Sequence, residues 1–205
     1  MTLLAPFLSE FRMAEGLGRG VDPSREESAV DRERRVFEGR MGGAWPEIVR
    51  LIERLLAWPG AGAEVEDVAQ DVFFAAWKAR GDFRGEAEWS TWVYAIAVRR
   101  ARNAARSRSR RERWFGRLLP GALLDGEPSR DLTEEAASVS SATSRALAGL
   151  KHPDREVLVL RYLEERTIDE IASWLGLSRA AVDARLSRAR ARLKERMGPA
   201  LEGPL

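Results

Sequence analysis

Residues 179–193 place Arg179, Arg185, Arg188 and Arg192 along a stretch whose apolar positions, Val182, Leu186, Ala189 and Leu193, recur at helical spacing. Such a helix is apolar on one face and carries guanidinium groups on another, the chemistry of a polyanion contact. Just upstream, Thr167 to Glu170 has the spacing of a capping box, in which the threonine hydroxyl and the glutamate carboxylate each accept one of the free amides of a first helical turn. Ile168, Ile171, Ala172 and Leu175 continue as the buried stripe of that helix, Gly176 stops it, and Ser178 suits the N-cap of the next. A capped helix, a glycine turn and a serine-capped basic helix form a helix-turn-helix, whose second helix lies in the major groove. Its first residues then reach base edges and its later arginines meet phosphates. Contact with DNA falls to Ser178, Arg179, Ala181, Arg185, Arg188 and Arg192. A merely solvated basic helix needs neither the box, the turn nor the cap in this order.

Other chemistries lack their residues. The 205-residue chain has no cysteine and a single histidine, His152, placed before Pro153 and Asp154 where a helix would start. No disulfide, thiolate nucleophile or cysteine-based metal site follows, and one imidazole is a poor metal ligand. There is no glycine-rich phosphate loop and no nucleophile beside a base, so neither an enzyme nor a bound cofactor is expected. No apolar run approaches a membrane span, and no basic-then-apolar leader opens the chain, so a soluble, cytoplasmic protein is expected. Net charge is only +2, yet residues 99–113 hold eight arginines against one glutamate. Basic charge gathered in two places suggests two contacts with a polyanion.

The elements that must position these residues read as helices. Residues 1–40 mix Gly, Pro and opposed charges around short apolar clusters, and are expected to form a flexible extension with at most one short helix. Trp45 to Trp58 carries Ile48, Leu51, Ile52, Leu55 and Leu56 at helical spacing and is closed by Pro59 and Gly60. Glu66 to Ala79 gives a second helix with Val68, Val72, Ala75 and Ala79 inward, and Trp89 to Arg106 a third. Pro120, Gly121, Gly126 and Pro128 punctuate a linker spanning residues 111–137. Helical pattern resumes at Ala146, Leu147 and Leu150 and runs from Val157 to Tyr162 into the helix-turn-helix. No strand alternation is visible. The expected fold is all-α, two small helical domains over residues 41–110 and 138–198 joined by a flexible linker, with a tail at 199–205.

With these elements laid out, a resemblance emerges. Glu66-Asp67-Val-Ala-Gln70-Asp71-Val-Phe73-Phe-Ala-Ala-Trp77, then Phe83-Arg84-Gly85-Glu86 and Thr91-Trp92-Val-Tyr94-Ala-Ile96-Ala97, resemble region 2 of bacterial extracytoplasmic-function sigma factors, group 4 of the sigma-70 family. Leu147 to Leu193 resembles their region 4. The resemblance covers about residues 45–110 and 140–196, in the family's order.

It implies a promoter-specificity subunit without catalysis of its own. Its partners would be core RNA polymerase, through the largest-subunit clamp helices and the beta-subunit flap, promoter DNA, and commonly an anti-sigma protein. The polymerase contact would fall on Asp67, Gln70, Asp71 and Phe74, which lie off the buried stripe; a solvated acidic face is the alternative. The minus-10 element would be opened and held by Phe83, Arg84, Trp89, Arg99, Arg100, Asn103 and Arg106, and the minus-35 element by the helix-turn-helix. Aromatic rings stack on unpaired bases but not on paired ones, so a ring platform favours melted DNA. Trp92 and Ile96 are expected in the core, leaving Trp89 as the base-facing ring. The family often has a Gly-Thr pair before the valine of the recognition helix and a basic residue after it; here Ala180 and Ala181 precede Val182 and Asp183 follows. Asp183 could accept from a cytosine amino group or pair with Arg179. A linker of this length lets a partner sit between the domains, or lets them pack on each other through Trp114, Phe115, Leu118 and Leu119. A stand-alone helix-turn-helix regulator, binding half-sites as a homodimer, is the rival reading.

Overall fold

The computed structural model describes residues 29–57, 61–118 and 141–197, and each element among them is helical. Three helices make a first unit: α1 (Ala29–Leu55), α2 (Gly62–Lys78) and α3 (Trp89–Leu118). Their apolar stripes meet in a core of Met41, Trp45, Ile48, Leu51, Ile52, Val72, Phe73, Val93, Ala97 and Val98. The second unit comprises α4 (Ser141–Ala148), α5 (His152–Leu158), α6 (Ile168–Leu175) and α7 (Arg179–Met197). Val157, Leu160, Ile171, Leu175, Val182, Leu186 and Ala189 fill its centre. Between α5 and α6 the chain widens into a π-turn over Val159–Leu163, and Glu165 adopts a left-handed φ of 53° as the chain leaves it.

Two boundaries differ from the sequence-based expectation. Residues 29–40, expected within the flexible extension, form the first three turns of α1. Phe37 is 3% exposed and meets Phe73, Trp77 and Trp89 edge-on at centroid distances of 5.4, 5.1 and 5.7 Å. Arg34 pairs with Asp31 along the helix at 3.0 Å, and Glu33 reaches Arg80 at 3.0 Å. One aromatic among alternating charges gives almost no periodic signal; the acceptor for that ring lies in two distant helices. At the other end α3 continues through residues 111–118, expected as linker, because Glu64 of α2 pairs with Arg111 at 2.7 Å and with Arg108 at 3.5 Å. Trp58, Pro59, Gly60 and residues 1–28, 119–140 and 198–205 lie outside the described residues.

The two units pack on each other. The C-terminal end of α1 lies against α5 and the middle of α3 against α6, so the apolar cluster runs through both. Of the residues expected to join them, Trp114 is 59% exposed, and the side chains of Phe115 and Leu118 and all of Leu119 lie outside what is described.

Candidate polymerase and nucleic-acid interfaces

On α2, the residues Val65, Val68, Ala69, Val72, Phe73, Ala76 and Trp77 face inward. The positions Asp67, Gln70, Asp71 and Phe74 follow each other at i, i+3, i+4 and i+7 and so share the outer side. Asp67 and Asp71 are exposed, Gln70 and Phe74 half-buried. Phe74 leans edge-on against Phe73 with centroids 6.0 Å apart, which leaves an acidic surface with an aromatic rim.

Between α2 and α3 the chain makes a short 3-10 turn, Arg80–Asp82, and a loop whose Gly85 takes a φ of 74°, a conformation that suits glycine. Asp82, Phe83, Arg84, Gly85, Glu86, Ala87 and Trp92 line an open recess there. Trp89 and Trp92 are both half-buried and both packed against the core. Trp89 is enclosed by Phe37, by Phe83 at 5.1 Å and by Trp92 at 4.9 Å, and its indole N–H is buried without an acceptor among the described residues. Arg40 sits over its ring at 5.5 Å. Trp92, expected in the core, packs partly buried against it and also borders the recess. Tyr94 is core, 4% exposed, with its hydroxyl donating to the Glu47 carboxylate at 3.3 Å. Burial, with Glu164 and Glu47 nearby, pushes its pKa up.

Farther along α3, Arg99, Arg100, Asn103 and Arg106 are exposed, forming a basic surface that continues from the recess. Arg102, next to Arg106 on the edge of this face, reaches the Leu175 carbonyl of the second unit.

The helix-turn-helix forms as its sequence indicates. Thr167 accepts from the Glu170 amide at 3.2 Å while the Glu170 carboxylate accepts from the Thr167 amide at 2.8 Å, and Gly176 ends α6 with a φ of 62°. Ser178 Oγ accepts from the Ala181 amide at 3.2 Å. Arg179 is exposed and pairs with Asp169 at 2.9 Å rather than with Asp183. Arg188 is exposed. Arg192 pairs with the buried Asp154 of α5, so it also ties α7 to its own unit. Arg185 is half-buried with one guanidinium nitrogen, Nη1, lacking an acceptor, and it faces Glu156.

Sequence reasoning missed a group of charged residues between the units. Arg155 and Glu156 are 2% and 1% exposed. The Arg155 guanidinium donates to the carbonyls of Leu55, Ala57, Ala148 and Leu150 at 3.0–3.3 Å, and burial lowers its pKa to about 10. Arg102 lies 3.9 Å from the Glu156 carboxylate and donates to the Leu175 carbonyl. Burial raises the Glu156 pKa to about 7 against the opposing pull of Arg102, Arg185 and Arg106. His152 is pushed down to about 3 by burial and by Arg155, Arg102 and Arg106. The only hint in the sequence is the pair Arg155-Glu156 directly before the apolar run Val157–Leu160.

The sequence descriptions "Sigma-70 region 2" and "Sigma-70, region 4" match residues 46–111 and 140–193. The RNA polymerase sigma factor CnrH of Cupriavidus metallidurans is 34% identical over 136 residues, covering 63% of this chain and 71% of CnrH. NccH, an RNA polymerase sigma factor of Alcaligenes xylosoxydans xylosoxydans, is 30% identical over 182 residues, 84% of this chain and 94% of its own. The ECF RNA polymerase sigma factor SigG of Mycobacterium tuberculosis is 31% identical over 165 residues, of which this chain spans 45% of the relative's length. In fold, the chain resembles the sigma factor RpoE solved with the anti-sigma factor NepR from Bartonella quintana, with a TM-score of 0.58, 21% identity, and coverage of 78% of this chain and 96% of that one. The chain belongs to the sigma-70 family, as a sigma factor of the extracytoplasmic-function type. Sigma factors are transcription initiation factors rather than enzymes. No described helix is long and apolar enough to cross a membrane.

Proposed function

We propose that this sigma factor opens and reads a two-part promoter with the surfaces described above. The outer side of α2, with Asp67, Gln70, Asp71 and Phe74, docks on the clamp helices of the polymerase largest subunit, an acidic and partly aromatic surface suited to a basic helical partner. The recess bordered by Phe83, Arg84 and Trp92 receives an unpaired base of the minus-10 element. Ring faces stabilise stacked single-stranded bases, so the recess favours melted over paired DNA. Arg99, Arg100, Asn103 and Arg106 guide the strand along α3, by phosphate contacts and, at Asn103, by an amide able to read a base edge. Ser178, Arg179, Ala181, Arg185, Arg188 and Arg192 of the helix-turn-helix take the minus-35 element, and the second unit meets the beta-subunit flap. An anti-sigma protein, which the family resemblance implies, would act on these same two units.

The observation that carries this reading is the continuity of the recess with the exposed basic face of α3 in one unit, beside a fully capped helix-turn-helix in the other. A pull-down of core RNA polymerase tests it. The parent chain is expected to be retained, and a folded Asp67→Arg, Gln70→Ala variant is expected to be lost. Equal retention of both would remove the outer side of α2 from the contact, and no retention of a folded parent would count against the polymerase role.

A further inference from the structure

The last arginines of α3 are sorted by the fold to two sides of the helix. Arg108 and Arg111 turn toward α2 and close on the Glu64 carboxylate at 3.5 and 2.7 Å, which fixes the end of α3 against the start of α2. Arg110 and Arg113 fall on the other side by helical spacing. Both are exposed, and the bonds they donate stay within α3: Arg110 to the Ser107 hydroxyl at 3.1 Å, Arg113 to the Ser109 carbonyl at 3.0 Å. Neither is paired with a carboxylate among the described residues.

These two arginines continue a row. Arg99, Asn103, Arg106, Arg110 and Arg113 recur at intervals of four, three, four and three residues, which lines them up along one side of α3. The buried residues Val93, Ala97, Val98, Ala101 and Ala105 lie opposite. Like charges at these intervals repel and destabilise an isolated helix. The preference of a helix C-terminus for positive charge fades within its last turn, and Arg110 and Arg113 both precede the last turn before Leu118. A phosphate backbone laid along the row would neutralise the repulsion.

The row begins near the recess, at residues given above to the minus-10 element, and runs to the far end of the helix. From Arg106 to Arg113, seven residues at 1.5 Å each add about 10 Å, the length of about three base pairs at 3.4 Å. In chain order α3 leads from the recess to the unit given the minus-35 element, which puts the far end of the row upstream. Rings that could hold unpaired bases border the recess, whereas the row from Arg99 to Arg113 carries none. Guanidinium groups without rings suit paired DNA, contacted at its phosphates.

We propose that Arg110 and Arg113 extend the DNA-binding face of α3 past the minus-10 element onto the phosphates of the paired DNA upstream of it, whatever its sequence. The inference rests on the minus-10 reading above. Its test uses holoenzyme made from core polymerase and the full chain, with forked DNA that the parent holoenzyme selects from a pool randomised in the minus-10 element. In one form of the fork the duplex stops at the upstream edge of the element; in the other it continues upstream in mixed sequence. An Arg110→Ala, Arg113→Ala variant is expected to match the parent on the short fork and to bind the long fork more weakly. Loss of two phosphate contacts makes the slope of log K against log salt shallower by about 1.8, so the parent's advantage narrows about twelvefold between about 50 and 200 mM salt. An Arg110→Lys, Arg113→Lys variant is expected to recover most of the loss, because a phosphate is held by a point charge as well as by a guanidinium. Far-UV circular dichroism checks that helicity is kept. Equal binding of the long fork by parent and alanine variant, or equal losses on both forks, would overturn the proposal. So would loss of the alanine variant from core polymerase in a pull-down, which would give these arginines to an acidic protein surface. If the parent holoenzyme selects no fork, the minus-10 reading fails, and the free full chain on a mixed-sequence duplex decides the contact: a shallower salt slope for the alanine variant upholds it, and an unchanged slope overturns it.

Discussion

At the scale of residues, two neighbouring half-buried tryptophans differ in what they touch, and so in what a substitution should do. Trp92 borders the recess, whereas Trp89 is packed among Phe37, Phe83 and Trp92. Trp92→Ala is expected to weaken binding of the holoenzyme to a single-stranded minus-10 oligonucleotide by about 1–3 kcal/mol, the usual contribution of one stacked base. Trp89→Ala is expected to act first on folding, lowering stability by about 1–3 kcal/mol, since the ring is packed on the core but only partly buried. Titrating the oligonucleotide against each holoenzyme, alongside urea unfolding of each free chain, separates the two. A Trp92 variant with full affinity would remove the ring from base capture.

At the scale of elements, the helix-turn-helix owes its shape to local chemistry that can be taken apart piece by piece. Thr167 and Glu170 satisfy each other's free amides, and Gly176 holds a φ of 62° with no atom near the position of an added Cβ. Thr167→Ala is expected to cost about 1 kcal/mol through the lost cap. Gly176→Ala is expected to cost about 1 kcal/mol through backbone strain alone, since nothing crowds the new methyl group. Urea midpoints of the full chain check both. α1 and α3 differ in that their outer turns are also tied to neighbouring elements, by Phe37 and by the Glu33–Arg80 and Glu64–Arg111 pairs.

At the scale of the whole molecule, the buried charges between the units make its stability depend on pH. The Glu156 pKa is raised from 4.5 to about 7, so the folded chain holds that proton over a range where the unfolded chain has lost it. Its contribution is therefore fullest below pH 4.5 and is lost as pH rises through about 7. His152 has the opposite sign: with its pKa lowered from 6.5 to about 3, it favours the folded state above pH 6.5 and costs stability as pH falls toward 3. Comparing the parent with Glu156→Gln cancels the histidine, which both chains share. Between pH 6.5 and 8 the variant is expected to gain about 1 kcal/mol on the parent, read from urea unfolding at the two pH values. A constant difference would mean that the Glu156 carboxyl titrates as it does in water.

The sequence by itself determined the parts of this protein whose causes are local. The capping box, the glycine turn and the Ser178 cap depend on residues three or four apart and were legible at their own positions, and the stripes of α2 and α7 in part, since Val68, Val72, Val182, Leu186 and Ala189 are buried while Ala75, Ala79 and Leu193 are half-buried. So was the all-α class, and the outer side of α2, because what is not in the stripe must face outward. What only the tertiary structure decided depends on partners far along the chain. Phe37 became core because Phe73, Trp77 and Trp89 enclose it, and which rings border the recess followed from that packing across three helices. Arg102 and Arg185 read in sequence as two more arginines of DNA-facing helices. Their distinct roles come from Leu175 and Glu156, which the fold brings to them across the junction of the two units. Helical periodicity reports which face of an element is buried; it carries no information about which distant face, carbonyl or charge will meet it.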